Sequence, residues 1–149
     1  MAAVYRTGAV AGLKPEAFVV HCSDPRYQAH FHDFLRQHLK LNAYWLIVVP
    51  GGAQLLRLTE ALPKFSWAGW RWVKFLMELA QAPKMILIGH DDCRWYSEGP
   101  LRAWRGDPRE RVIGDLRKVR QEIAERFPGV AVELYFARLD GQQAVFEAI

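Results

Sequence analysis

The chain has 149 residues, 51% hydrophobic and 24% charged, with a formal net charge of +4. A chain of this length buries about two thirds of its unfolded surface, so one ordinary domain spanning 1–149 needs neither a disulfide nor a metal merely to fold. The opening MAAVYRTGAVAGLK has no continuous apolar segment, and the longest apolar run, Ala43 to Val49, is far short of a membrane span; the expected location is cytoplasmic. The excess positive charge does not make a nucleic-acid binder, because Glu110, Asp115, Glu122 and Glu125 interrupt the arginines between Arg94 and Arg126 and no nucleic-acid motif accompanies them.

In chain order, strands and helices alternate. Continuous apolar runs suited to a sheet covered on both faces occur at Ala17 to Cys22, Tyr44 to Val49, Lys84 to Gly89 and Val130 to Ala137, with an edge strand expected at Ala144 to Ala148. Phe31, Phe34, Leu35 and His38 follow helical spacing after the first strand. Trp67, Trp70, Val73 and Met77 do so after the second, with Trp72 off that face as a candidate for a subunit interface. The clearest helix runs from Pro108 to Phe127. Asp107 suits its N-cap, Pro108 its first turn, Glu110 a capping box, and Val112, Leu116, Val119 and Ile123 form one stripe. Pro128-Gly129 ends it, and Asp140-Gly141 reads as a hairpin turn. The fold class is α/β: a central, mostly parallel sheet flanked by helices.

Both cysteines sit in polar clusters directly after apolar runs, AFVVHCSDPR around Cys22 and MILIGHDDC around Cys93. Thiolate and imidazole are ligands that Zn²⁺ prefers, and Cys22 with the His90-x-x-Cys93 pair supplies three, leaving the fourth tetrahedral position open. A Cys22–Cys93 disulfide is the competing reading, although it accounts for none of the neighbouring His, Asp and Arg. Ligands of open parallel sheets bind outside the carboxyl ends of the strands, where these residues fall.

Cys22-Ser23-Asp24-Pro25-Arg26 resembles the C-x-D-x-R motif of the β-class carbonic anhydrases, and His90-Asp91-Asp92-Cys93 resembles their H-x-x-C. The likeness runs from about residue 17 to the C-terminus. It implies the strand order 2-1-3-4 plus the edge strand, zinc held by Cys22, His90 and Cys93, and reversible hydration of CO₂ to bicarbonate by zinc-bound hydroxide: a carbonic anhydrase (carbonate dehydratase) type of lyase, as a homodimer or higher homo-oligomer. It implies that Asp24 and Arg26 are the catalytic pair. With Asp24 turned to Arg26 the site is open; with Asp24 on the metal as fourth ligand it is closed. Asp91 and Asp92 read as residues opening a helix, and Gly51-Gly52 as a tight turn or an approach of backbone to substrate. His21, His30, His32 and His38 are candidate proton carriers.

The chain also departs from the family's pattern. Arg94 replaces the usual glycine after the second cysteine, AGLKPE at Ala11 to Glu16 lacks the substrate-side glutamine, Pro50-Gly51-Gly52 stands for the asparagine-alanine-glycine loop, and with about sixteen residues ahead of the first strand the family's long N-terminal helices are not expected. Arg94, Trp95 and Tyr96 lie beside the metal motif and are expected to reshape the pocket. Two alternatives follow: a zinc hydrolase of a CO₂ analogue such as carbonyl sulfide or carbon disulfide on the same fold, and a catalytically silent zinc-binding protein whose aromatics serve a partner.

Overall fold

Among the described residues five strands form one sheet in the order β2-β1-β3-β4-β5. They are β1 (Ala17–Cys22), β2 (Tyr44–Val49), β3 (Lys84–His90), β4 (Ala131–Asp140) and β5 (Gln143–Ala148). β1 pairs in parallel with β2 and β3, β3 in parallel with β4, and only the hairpin strand β5 runs antiparallel, against β4. This computed structural model describes residues 4–8, 12–57, 62–80, 82–99 and 106–149; the leader reading and the Ala11 end of AGLKPE fall partly outside them. The expected order and the antiparallel edge are both found. Among the described residues no helix is long and apolar enough to cross a membrane.

The two central strands behave as their unbroken apolar runs require: all six residues of β1, and every residue of β3 after Lys84, are buried. β2 has a comparable sequence but lies at the sheet edge, and its Leu46 and Val48 are exposed. On one face Phe18, Val20, Met85 and Leu87 meet α2 (Pro63–Ala80) and α4 (Pro108–Arg126). On the other, Val19, Ile86 and Ile88 meet α1 (Gln28–Asp33) and the π-helical turn Phe34–His38 that continues it. Each fully buried aliphatic or aromatic side chain contributes about 1.5–3 kcal/mol relative to exposure.

The helices refine two expectations. Phe31, Phe34 and Leu35 are buried, but the wider π turn delays the register by a residue, so His38 is exposed and stacks on Phe34 with ring centroids 5.2 Å apart. On α2, Val73 and Met77 are buried and Trp70 packs against the same cluster, whereas Trp67 is 64% exposed and lies under the Arg71 guanidinium. α4 carries its predicted stripe of Val112, Leu116, Val119 and Ile123 inward, and Asp107 caps it by accepting from the Arg109 N–H at 2.8 Å.

Candidate metal centre

The chain places its chemistry where β1 and β3 end side by side. Cys22 is the last residue of β1 and His90 the last of β3. Cys93 immediately precedes the short helix α3 (Arg94–Glu98). Asp91 and Asp92 do not open that helix; they form the turn that brings Cys93 back beside His90, with Asp92 left-handed at φ 52°. An aspartate tolerates that conformation better than most residues.

Cys22, His90 and Cys93 are all buried, and one ligand atom from each lies within 4.8 Å of the others. The two sulfurs stand 3.7 Å apart, and both cysteines are free. A disulfide needs about 2.05 Å between sulfurs. Two thiolates on a tetrahedral zinc with bonds of about 2.3 Å would be about 3.8 Å apart, so the pair is spaced for a shared ion rather than for a bond. The His90 Nδ1–H donates to the main-chain oxygen of Asp91 at 2.7 Å, which puts the lone pair on Nε2. That Nε2 is buried and has no hydrogen-bond partner. A buried polar atom left unpaired costs about 1–3 kcal/mol, and a metal ion removes this cost. The residues therefore fit zinc.

Electrostatics favour charge on the Cys22 sulfur, with the proton kept on Cys93. The Cys93 thiol hydrogen-bonds Cys22 and, together with the adjacent His90 ring and the Gly51 N–H 3.4 Å from Cys22 Sγ, outweighs burial and holds Cys22 well below the ordinary thiol range. Cys93, which gives up that hydrogen bond, is pushed up by Cys22 and by burial. The backbone supports this arrangement at Gly51 and Gly52, which adopt φ of 74° and 55°. A Cβ on Gly52 would approach the Cys22 amide nitrogen and the His21 carbonyl carbon to 3.0 Å, and one on Gly51 would run into the Trp95 ring. The turn noted in the sequence thus packs directly on the end of β1.

Asp24 stands outside the three-residue group and faces Arg26. The Arg26 Nη2 meets Asp24 Oδ2 at 2.8 Å, and Arg26 Nε and its own main-chain N–H donate to Oδ1 at 3.1 and 3.0 Å. This guanidinium holds the Asp24 carboxyl below its usual range. Of the two arrangements weighed from the motif, the described one turns Asp24 to arginine. Sequence reading missed what holds Arg26 in turn: its Nη1 pairs with Asp92 Oδ2 at 2.7 Å and its Nη2 donates to the Asp92 carbonyl at 2.8 Å. The left-handed turn that aims Asp92 at Arg26 leaves no local signal except the residue type.

A cleft of about 490 Å³ opens in front of Cys22, with Asp24, Arg26, Pro50, Arg94 and Trp95 on its walls, a volume suited to a small ligand. Trp95 is fixed from behind. Its indole N–H donates to Gln54 Oε1, the Gln54 amide donates to Asp115 Oδ2 at 3.0 Å, and the Tyr96 hydroxyl donates to the same oxygen at 3.1 Å. Gln54 is fully buried and was not singled out from the sequence. Arg94 is exposed and pairs with Glu98, Nη2 to Oε2 at 2.8 Å, so it edges the cleft without filling it. None of the candidate proton carriers lines the cleft. His21 is buried against Phe31 and held below its ordinary pKa by that burial.

No protein-family model and no curated protein matches the chain. Solved structures do. The chain is similar to the carbonic anhydrase of Streptococcus mutans, with a TM-score of 0.57 at 13% identity over 94% of this chain and 87% of that one. It is similar to the β-carbonic anhydrase CafA of Aspergillus fumigatus, with a TM-score of 0.54 at 13% identity, covering 93% and 76% of the two chains. The fold is that of the β-carbonic anhydrases. A tetrameric β-carbonic anhydrase of Sordaria macrospora shares the β-carbonic anhydrase fold too, at a TM-score of 0.52 and 16% identity over 93% and 82%. The Cys22, His90 and Cys93 group that can hold a metal lies in this chain at the carboxyl ends of its central parallel strands.

Proposed function

We propose that the protein is a zinc-dependent lyase of the carbonic anhydrase type, with Cys22, His90 and Cys93 as metal ligands, Asp24 and Arg26 as the catalytic pair, and CO₂ and bicarbonate as substrate and product. The observation that carries this reading is the unpaired, buried His90 Nε2 beside two sulfurs at zinc spacing. Zinc held there would supply a Lewis acid that makes water a nucleophile near neutral pH. Asp24, fixed by Arg26, offers a carboxylate oxygen to accept a hydrogen bond from the attacking water and so aims its lone pair at the carbon. Oxygen–carbon bond formation turns CO₂ and water into bicarbonate, and the proton is released to solvent through the cleft. The Arg26 guanidinium keeps Asp24 ionised for this task and spares it from binding the metal itself. The protein works as a homo-oligomer, and its free thiols suit the reducing cytoplasm.

The fixed Trp95 wall favours a second reading, in which the same site hydrolyses a larger, more polarisable analogue of CO₂, carbonyl sulfide or carbon disulfide. Stopped-flow CO₂ hydration on zinc-loaded protein, with zinc content measured in parallel, decides between them. Turnover that Asp24→Ala abolishes without loss of zinc supports the anhydrase. Stoichiometric zinc with consumption of a sulfur analogue but not CO₂ selects the hydrolase, and full zinc with no turnover of any of them sinks both.

A further inference from the structure

Helix α2 carries two apolar stripes, and the fold uses one. Val73 and Met77 face the sheet together with the buried Ser66. On the opposite side Phe65, Ala68, Trp72, Phe75 and Leu79 follow one another at intervals of three, four, three and four residues. The four large ones are 53%, 50%, 62% and 57% exposed, in chain order. A strict three-four alternation is the spacing of a two-helix seam, in which side chains of one helix seat between those of another. Solvent gives no reason for it, since a helix covering a single core needs one stripe.

We propose that this stripe is the contact with a second copy of the chain, two α2 helices packing antiparallel about a two-fold axis at Trp72. This specifies the homo-oligomer of the proposed function and does not depend on the zinc chemistry. Antiparallel pairing sets Phe65 against the partner's Leu79 and keeps the seam self-complementary, as a two-fold contact requires. The charges at the ends of the seam favour that direction. Lys64 flanks its start and Glu78 its end, so antiparallel helices place each lysine near the partner's glutamate, while Arg71 on the same flank meets its counterpart near the axis and keeps its guanidinium over the Trp67 ring instead. Among the described residues Glu78 is otherwise held by a 3.7 Å contact with Lys74, both side chains being about two-thirds exposed, a pair loose enough to exchange. The exposed halves of three aromatic rings and a leucine offer on the order of 400 Å² per copy. The stems of Lys64, Arg71 and Glu78 bring the pair to the low end of stable interfaces.

Sedimentation velocity on the full chain, wild type and variants, tests this. The expected result is a wild-type dimer and a Phe75→Glu monomer with unchanged circular dichroism. Lys64→Glu or Glu78→Lys alone should weaken dimerisation about tenfold, since two ion pairs become repulsive, and the two combined should restore it to within about threefold. A wild-type chain that stays monomeric overturns the proposal, as does a Phe75→Glu dimer or a double charge swap that fails to rescue. Flotation of a monomeric wild type with anionic vesicles would assign the stripe to a membrane surface and overturn it as well. Zinc content read on the same samples separates failure of the seam from failure of the metal site.

Discussion

Two regions of this molecule mismatch residue and surroundings in opposite senses. At the ends of β1 and β3, polar groups are buried among apolar ones, and the His90 Nε2 is left unpaired. On the outer side of α2, aromatic and aliphatic side chains are left in water at regular spacing. The first could be relieved by a metal ion, and the second, on the proposal above, by a second copy of the chain. They differ in how they are held. The metal centre is fixed from several elements at once, through Arg26 to Asp92 and through the Gly51 amide to Cys22, whereas the α2 stripe rests on one helix. Substitutions at the centre should therefore disturb both binding and fold, and those on the stripe should leave the fold intact.

The sharpest test of that contrast is loss of a ligand. His90→Ala should reduce bound zinc from about one per chain to near zero by atomic absorption, because two sulfurs alone leave the site short of the three ligands an open zinc site uses. Zinc at a hundredfold excess over its Kd should raise the wild-type melting temperature by about 5–10 °C, from about 2.7 kcal/mol of linkage, and leave His90→Ala unmoved. An equal rise in the variant would mean that the ion binds elsewhere.

Gly52→Ala should come next. It forces a β carbon into left-handed backbone against β1, at a cost of about 2–3 kcal/mol, read as a lower denaturant midpoint at constant slope. Gln54→Leu should cost less, about 1–3 kcal/mol, by stripping the Trp95 indole and Asp115 of their common partner. An unchanged midpoint would show that Trp95 is held by packing on Gly51 alone. The smallest effect is expected at Arg94→Ala, where an exposed pair with Glu98 is removed; the melting temperature should not move measurably. A large loss there would show that the cleft edge is as constrained as its floor.

Much of this was legible along the chain because the signals are local. The unbroken apolar runs of β1 and β3, the cap and stripe of α4, and the two cysteine motifs each lie within a few consecutive residues, and the β-strand period and metal-ligand spacing translate them directly. Less legible was whatever depends on which neighbour the fold supplies. β1 and β2 read alike, yet one is central and the other leaves Leu46 and Val48 in solvent, because position in the sheet is a property of topology and not of strand composition. Trp67 and Trp70 looked equivalent on α2 until helix rotation put one outward and the other against the core.

Sequence alone determined the alternation of strands and helices, the identity of the candidate ligands and the Asp24–Arg26 pair, since each of these is written in residues close together. Only the tertiary structure decided that Asp24 faces arginine, that Asp92 and Gln54 support the site from 66 residues beyond Arg26 and 41 before Trp95, and that α2 keeps a second stripe in water. Such contacts join segments far apart in the chain, and their energies depend on distances that exist only after the strands have paired and the helices have packed.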